Sequence, residues 1–151
     1  MRNSGRVNFL TLGLGTMVIL VIVAFAFARE GLDSVGVRFM DALARHDVDQ
    51  LVEMSYIGTS DPVKIEERKK KLRSEWDFAV NTAGKHYAFV WKVVSYTKQN
   101  ETSGAVALKV TRNVFNGGYE EKFELPMEQE NGKWKVVVSG VSRDLFPALP
   151  N

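Results

Sequence analysis

Gly104 to Val138 reads GAVALKVTRNVFNGGYEEKFELPMEQENGKWKVVV. Val106, Leu108, Val110 and Val114 alternate with Ala107, Lys109, Thr111 and Asn113. Tyr119, Phe123, Leu125 and Met127 then alternate with Glu120, Lys122, Glu124 and Glu128, and Trp134, Val136 and Val138 with Lys135, Val137 and Ser139. A period of two places the apolar member of each pair on one face of a strand. Turn residues separate the runs, at Asn100 to Gly104, Asn116-Gly117-Gly118 and Asn131-Gly132, as hairpin connections require. With Tyr87 to Thr97 as a preceding strand, this predicts a four-stranded antiparallel meander. That preceding strand is apolar on both faces, Phe89, Trp91 and Val93 against Val90, Val94 and Tyr96. It is therefore either central or covered on its outer face by a partner or by the chain's own tail.

Upstream of His86 the period is helical. Val35, Phe39, Ala42 and Leu43 recur at i, i+4, i+7 and i+8, which predicts an amphipathic helix from about Ser34 to Arg45, capped by Asp33 or Ser34. Asp47 is placed to cap a second helix, Val48 to Tyr56, with Val48, Leu51, Val52 and Tyr56 as its apolar positions. Asp61-Pro62 opens a third helix, with proline at its first position. It runs to about Asn81 and buries Ile65, Leu72, Trp76, Ala79 and Val80, and Thr82-Ala83-Gly84 ends it. The expected class is α+β, three helices packed on one face of the meander.

Further upstream, Phe9 to Ala28 is a twenty-residue run without a charge, FLTLGLGTMVILVIVAFAFA. As a helix it is roughly 30 Å long, the thickness of a bilayer's hydrocarbon core. Ala26-Phe27-Ala28 also fits a signal-peptide cleavage site, but the apolar run is longer than a usual signal core. An uncleaved single transmembrane helix is the expectation. Arg2 and Arg6 before it, against Arg29 offset by Glu30 after it, place residues 1–8 in the cytoplasm. Residues 29–142 then form an extracytoplasmic domain, periplasmic at a bacterial inner membrane, and 143–151 a short tail. Ala24 and Ala28 offer a small-xxx-small spacing for a neighbouring helix, a spacing that alanine-rich helices also show by chance.

Charge and composition narrow the functions. The chain has 20 Lys and Arg against 18 Asp and Glu. Two of the arginines precede the span, so residues 29–151 balance at 18 against 18. A neutral domain argues against nucleic acid as partner. No cysteine is present, which removes disulfides and thiolate chemistry. His46 and His86 stand forty residues apart, without metal-ligand spacing. No cofactor or metal is expected.

The pattern of Phe39, Ala42-Leu43, His46-Asp47 and Leu51, and the closing Gly132-Lys133-Trp134-Lys135-Val136, resemble the NTF2-like superfamily of cone-shaped α+β domains. Membrane-anchored versions of similar layout include VirB8-like secretion-channel components and Mce-associated proteins. The resemblance implies a domain that mediates assembly, as most such anchored versions do. It also implies a cone cavity that Tyr56, Trp76, Phe89, Trp91, Phe123 and Trp134 could line; the favoured reading of the same aromatics is that they fill the core, as inward-facing aromatics usually do. Enzymatic members bury Asp, His and Tyr in the cone. Tyr56, His86, Tyr87, Tyr96 and Asp77 are the candidates here, but no Asp falls mid-strand on an apolar face, so no catalytic residue is assigned.

Two surface features remain. Arg68-Lys69-Lys70-Lys71 and Arg73 form a basic cluster for anionic lipid or an acidic partner, or a solvated face paired as Glu66–Lys70 and Glu67–Lys71. In the tail, Leu145, Phe146 and Leu149 could dock on a neighbouring subunit or on the outer face of the domain's own sheet. The expectation is a non-catalytic single-span accessory subunit whose partners are other membrane protein subunits and the bilayer. The alternatives are an anchored small-ligand binder using the cone cavity, or an isomerase- or dehydratase-like enzyme.

Overall fold

The computed structural model describes residues 30–82, 89–112 and 118–151. The expected membrane helix Phe9–Ala28, with Ala24 and Ala28, lies outside these residues, as do His86 and Tyr87. Among the described residues no helix is long and apolar enough to cross a membrane.

Helix α1 is Leu32–Arg45. It starts two residues before the expected Ser34, because Leu32 extends the stripe of Val35, Phe39, Met40 and Leu43 by a turn and is itself buried. The N-cap is Gly31, in extended conformation and without a side-chain cap. Asp33 and Ser34 thus sit inside the first turn rather than capping it, and Asp33 still complements the positive end of the helix. At the other end His46 takes the left-handed conformation, φ 58°, and the Asp47 N–H reaches back to Ala42 O at 2.9 Å, closing the last turn.

Helix α2, Val48–Met54, has the expected cap: Asp47 accepts from the Gln50 N–H at 3.1 Å and from Gln50 Nε2 at 2.7 Å. It stops short of Tyr56 because Ser55 turns extended and bridges Val136 in parallel, and the Tyr56 N–H donates to Val136 O at 2.8 Å. Helix α3, Pro62–Thr82, is capped by Asp61, whose Oδ1 accepts from the Val63 N–H at 3.0 Å. Leu72, Trp76, Ala79 and Val80 are buried as expected, and Ile65 is half-buried.

The sheet is antiparallel, in order β1-β2-β3-β4: Val90–Lys98, Ser103–Arg112, Tyr119–Glu130 and Lys133–Val136. Val106 faces Leu125 and Leu108 faces Phe123 across β2 and β3, and Met127 faces Val136 across β3 and β4. Their side chains are all buried. Three helices on a four-stranded meander is therefore the observed arrangement. Asn131 and Gly132, φ 53° and 75°, make the two-residue turn into β4, the positive pair that suits a tight hairpin. The expected alternation through Val138 ends early: β4 stops at Val136, and Val138–Gly140 is a 3-10 turn with Val138 still buried. The helical layer lies close on the sheet where side chains are absent. A Cβ on Gly36 of α1 would stand 2.9 Å from Val106 Cγ2, and one on Gly104 2.5 Å from Leu32 Cδ1 and 2.7 Å from Thr97 O.

Two expectations for the first strand and the tail are corrected. β1 is an edge strand, not a central one, and Val90, Val94 and Tyr96 are 56, 54 and 60 % exposed. The pairing of β1 with β2 slips at Val94, between Val93↔Leu108 and Ser95↔Ala107. The extra residue flips the alternation, so Tyr96 shares a face with Val106 rather than with Val90. The tail does not cover the outer face of this sheet. Leu145, Phe146 and Leu149 are buried in the domain's own core. The Phe146 ring makes edge-to-face contacts with Phe89 at 5.3 Å and Phe123 at 5.6 Å.

Candidate functional site

The six aromatics expected to line a cavity are spread through the domain rather than gathered round a space. Trp76 on α3 is fully enclosed; its ring meets Phe39 edge-on at 5.9 Å and its Nε1–H donates to Ser55 Oγ at 3.1 Å. Ser55, the one buried polar residue among those described, in turn donates to Leu51 O at 2.7 Å. Both of its hydrogen-bonding roles are thus filled, as a buried hydroxyl requires. Phe89 and Phe123 are joined through Phe146, at the end of the sheet where β2 finishes. Trp91 is half-buried opposite Val110. Trp134 lies buried near β4's start, with Lys98 Nζ 6.0 Å above its ring. Tyr56 is at the rim, its hydroxyl bonded to the Glu128 carboxylate. That bond, with the negative charge of Glu128, raises the Tyr56 pKa above its ordinary value.

Arg112 is the residue that the reading of β2 passed over. It continues the register of Val106, Leu108 and Val110, so its side chain falls on the apolar face. There its guanidinium stands 5.2 Å from the Phe146 ring and one nitrogen donates to Leu145 O. Its buried Nε has no hydrogen-bond partner. The even-numbered spacing was the signal for this position, and it ties the tail to the inner face.

Two open clefts flank α3. One, about 450 Å³, runs beside Ser74, Glu75 and Phe78 and is closed by Leu149, Pro150 and Asn151. The other, about 590 Å³, is lined by His46, Asp47, Asp49, Lys70, Arg73 and Asp77. Neither includes any of the six aromatics. Asp77 is exposed and accepts from Asn81 Nδ2 at 2.7 Å, and Tyr96 is exposed on β1. The described titratable candidates, Tyr56, Asp77 and Tyr96, therefore do not converge. Among the described residues no group of three His, Asp or Glu side chains could hold a metal.

The basic cluster of α3 is paired, though not as its spacing suggested. Lys69 Nζ lies 3.1 Å from Glu53 Oε2, Arg73 pairs with Asp49, and Lys71 Nζ lies 3.5 Å from Glu75 Oε1. The first two reach across to α2, whose acidic side faces this part of α3. Lys135 on β4 also reaches Glu53, at 3.3 Å, so Glu53 links both helices to the sheet. The hydrogen bond from Lys69 is the main cause of a Glu53 pKa below the ordinary 4.5, with Lys135 adding to it. A depressed carboxylate stabilises the fold above its unfolded pKa and loses that contribution as pH falls through the folded one. Stability should therefore decline below about pH 4.5. Glu53→Gln should flatten that decline by on the order of 0.5 kcal/mol, small because the pair is well solvated. Urea midpoints at a series of pH values would show it; parallel curves would deny Glu53 this role.

No protein-family model matches the sequence, and no curated protein matches it. Solved structures similar to it include a Campylobacter jejuni protein provisionally described as an NTF2-like transpeptidase. That chain is 14 % identical, with 66 % of this chain and 91 % of the other covered and a TM-score of 0.46. A SEC-C motif containing protein from Rhodopseudomonas palustris is 18 % identical, with 75 % and 81 % covered and a TM-score of 0.43.

Proposed function

We propose that the chain is a non-catalytic, single-span accessory subunit of a larger membrane protein complex. In this reading an NTF2-like domain is held on the extracytoplasmic side of the inner membrane as an assembly module. The observation that carries the reading is the filling of the inner face. Trp76, Phe123 and Trp134 are buried in the core, and the chain's own Phe146 sits between Phe89 and Phe123. A domain filled in this way has its outer surfaces to offer. The uncharged run from Phe9 to Ala28 supports the anchor, and Arg2 and Arg6 the orientation.

Purifying the tagged full chain in a mild non-ionic detergent, followed by mass spectrometry, tests the proposal. Companion proteins in fixed stoichiometry are the expected result. A lone monomer at every detergent concentration would remove the subunit reading.

A further inference from the structure

We propose that the open edge of β1 receives an extended, acidic segment of a partner protein, which adds to the sheet as a fifth strand. The inference rests on the reading of the domain as an assembly module and names the chemistry of its partner.

The two edges of the sheet differ. At β4, a strand of only four residues, Ser55 bridges Val136 and the Tyr56 N–H takes the Val136 carbonyl. That short edge is closed at its Val136 end by the chain itself. β1 runs for nine residues, and among the described residues no strand pairs with its outer side. An edge of this length exposes a row of backbone donors and acceptors. Three large apolar side chains, Val90, Val94 and Tyr96, are more than half exposed along it. An added strand would satisfy the backbone groups and bring side chains within about 5 Å of these three.

Charge decides the occupant. From Phe89 to Lys98 the strand has no acidic residue and two lysines, Lys92 and Lys98, and the hairpin to Arg112 adds Lys109 and Arg112 against Glu101. Lys109 is already paired with Glu120. Lys92 lies near enough to the same Glu120 to help lower its pKa, and Lys98 stands 6.0 Å from the Trp134 ring. Among the described residues neither makes an ion pair of its own. A second copy of this chain would bring lysines against lysines. Lysines and a bulge, here at Val94, are also how native edges avoid pairing with copies of themselves. The same features suit a strand of opposite charge, since opposed charges across a pair of strands attract.

The test uses the full chain in non-ionic detergent and two labelled decapeptides. Because the bulge puts Lys92 and Lys98 on opposite faces of β1, one peptide carries glutamates in adjacent pairs among valine and threonine, so that acid lies on both faces of the added strand. The other carries lysine at each glutamate position. Fluorescence anisotropy should show the acidic peptide binding about tenfold tighter than the basic one. Hydrogen exchange should slow within residues 90–98 when it binds. The double variant Lys92→Glu, Lys98→Glu, checked for an unchanged circular dichroism spectrum, should reverse the preference. Equal affinity for the two peptides, no measurable binding of either, or protection confined to other elements would each overturn the proposal. So would a peptide-free dimer with slowed exchange in β1, which would make the second copy the occupant. If companions co-purify but the peptide does not bind β1, the assembly reading stands and this surface is the part that fails.

Discussion

Replacing Trp76 by alanine should cost the domain about 3–5 kcal/mol, the range for deleting a large buried aromatic. That is a large share of the roughly 5–15 kcal/mol of an ordinary domain, so the variant's urea midpoint should fall steeply. Three losses combine. The ring is fully buried in the middle of α3, it meets Phe39 edge-on, and its N–H is the donor to Ser55 Oγ. Trp76→Phe separates them, because it keeps much of the volume and removes only the donor. A loss of about 1–2 kcal/mol is expected there, from the smaller ring and an unmet hydroxyl acceptor. Urea denaturation followed by circular dichroism gives both numbers. An alanine variant within about 1 kcal/mol of the parent would show that the helical layer does not depend on this ring.

Phe146→Ala should have the second-largest effect, about 3 kcal/mol. Phe146 is fully buried, fills the space between Phe89 and Phe123, and lies under the Arg112 guanidinium. Its loss leaves a void and strands a partly buried cation whose Nε already lacks a partner. The measurement also distinguishes two roles for the tail. As part of the core, Phe146→Ala lowers the urea midpoint of the purified chain. As a docking element it would leave that midpoint unchanged and reduce only the recovery of companions.

The regular part of the fold was legible because it obeys simple periods. Val106, Leu108 and Val110, and Phe123, Leu125 and Met127, face inward as their alternation requires. Asp47 and Asp61 cap where a short acceptor stands before a helical run. The failures have local causes. The first strand carries apolar residues on both faces, so the bulge at Val94 leaves no mark in the pattern, and an exposed edge strand reads as one that is central or covered. Gly31 caps α1 in place of Asp33 or Ser34 because burial of Leu32 outweighs a capping bond. Leu145, Phe146 and Leu149 are apolar residues in an aperiodic, proline-containing tail. Their composition fits their own core as well as a partner, and only the fold decides. Arg112 was hidden for the opposite reason, since the alternation was followed through its apolar members, Val110 to Val114, and a charge between them carries no mark of burial. The candidate pocket was least legible of all: the same six aromatics describe a cavity lining or a core, depending on where the tail lies.

The parallel bridge of Ser55 to Val136 has a consequence for any assembly made through the sheet. A sheet with two open edges can propagate, each added copy presenting a fresh edge to the next. Here one side is stoppered by residues 55 and 56, which leaves the molecule monovalent along that axis. Joining at β1 would end growth after one step, so edge pairing would produce finite complexes of fixed size and not filaments.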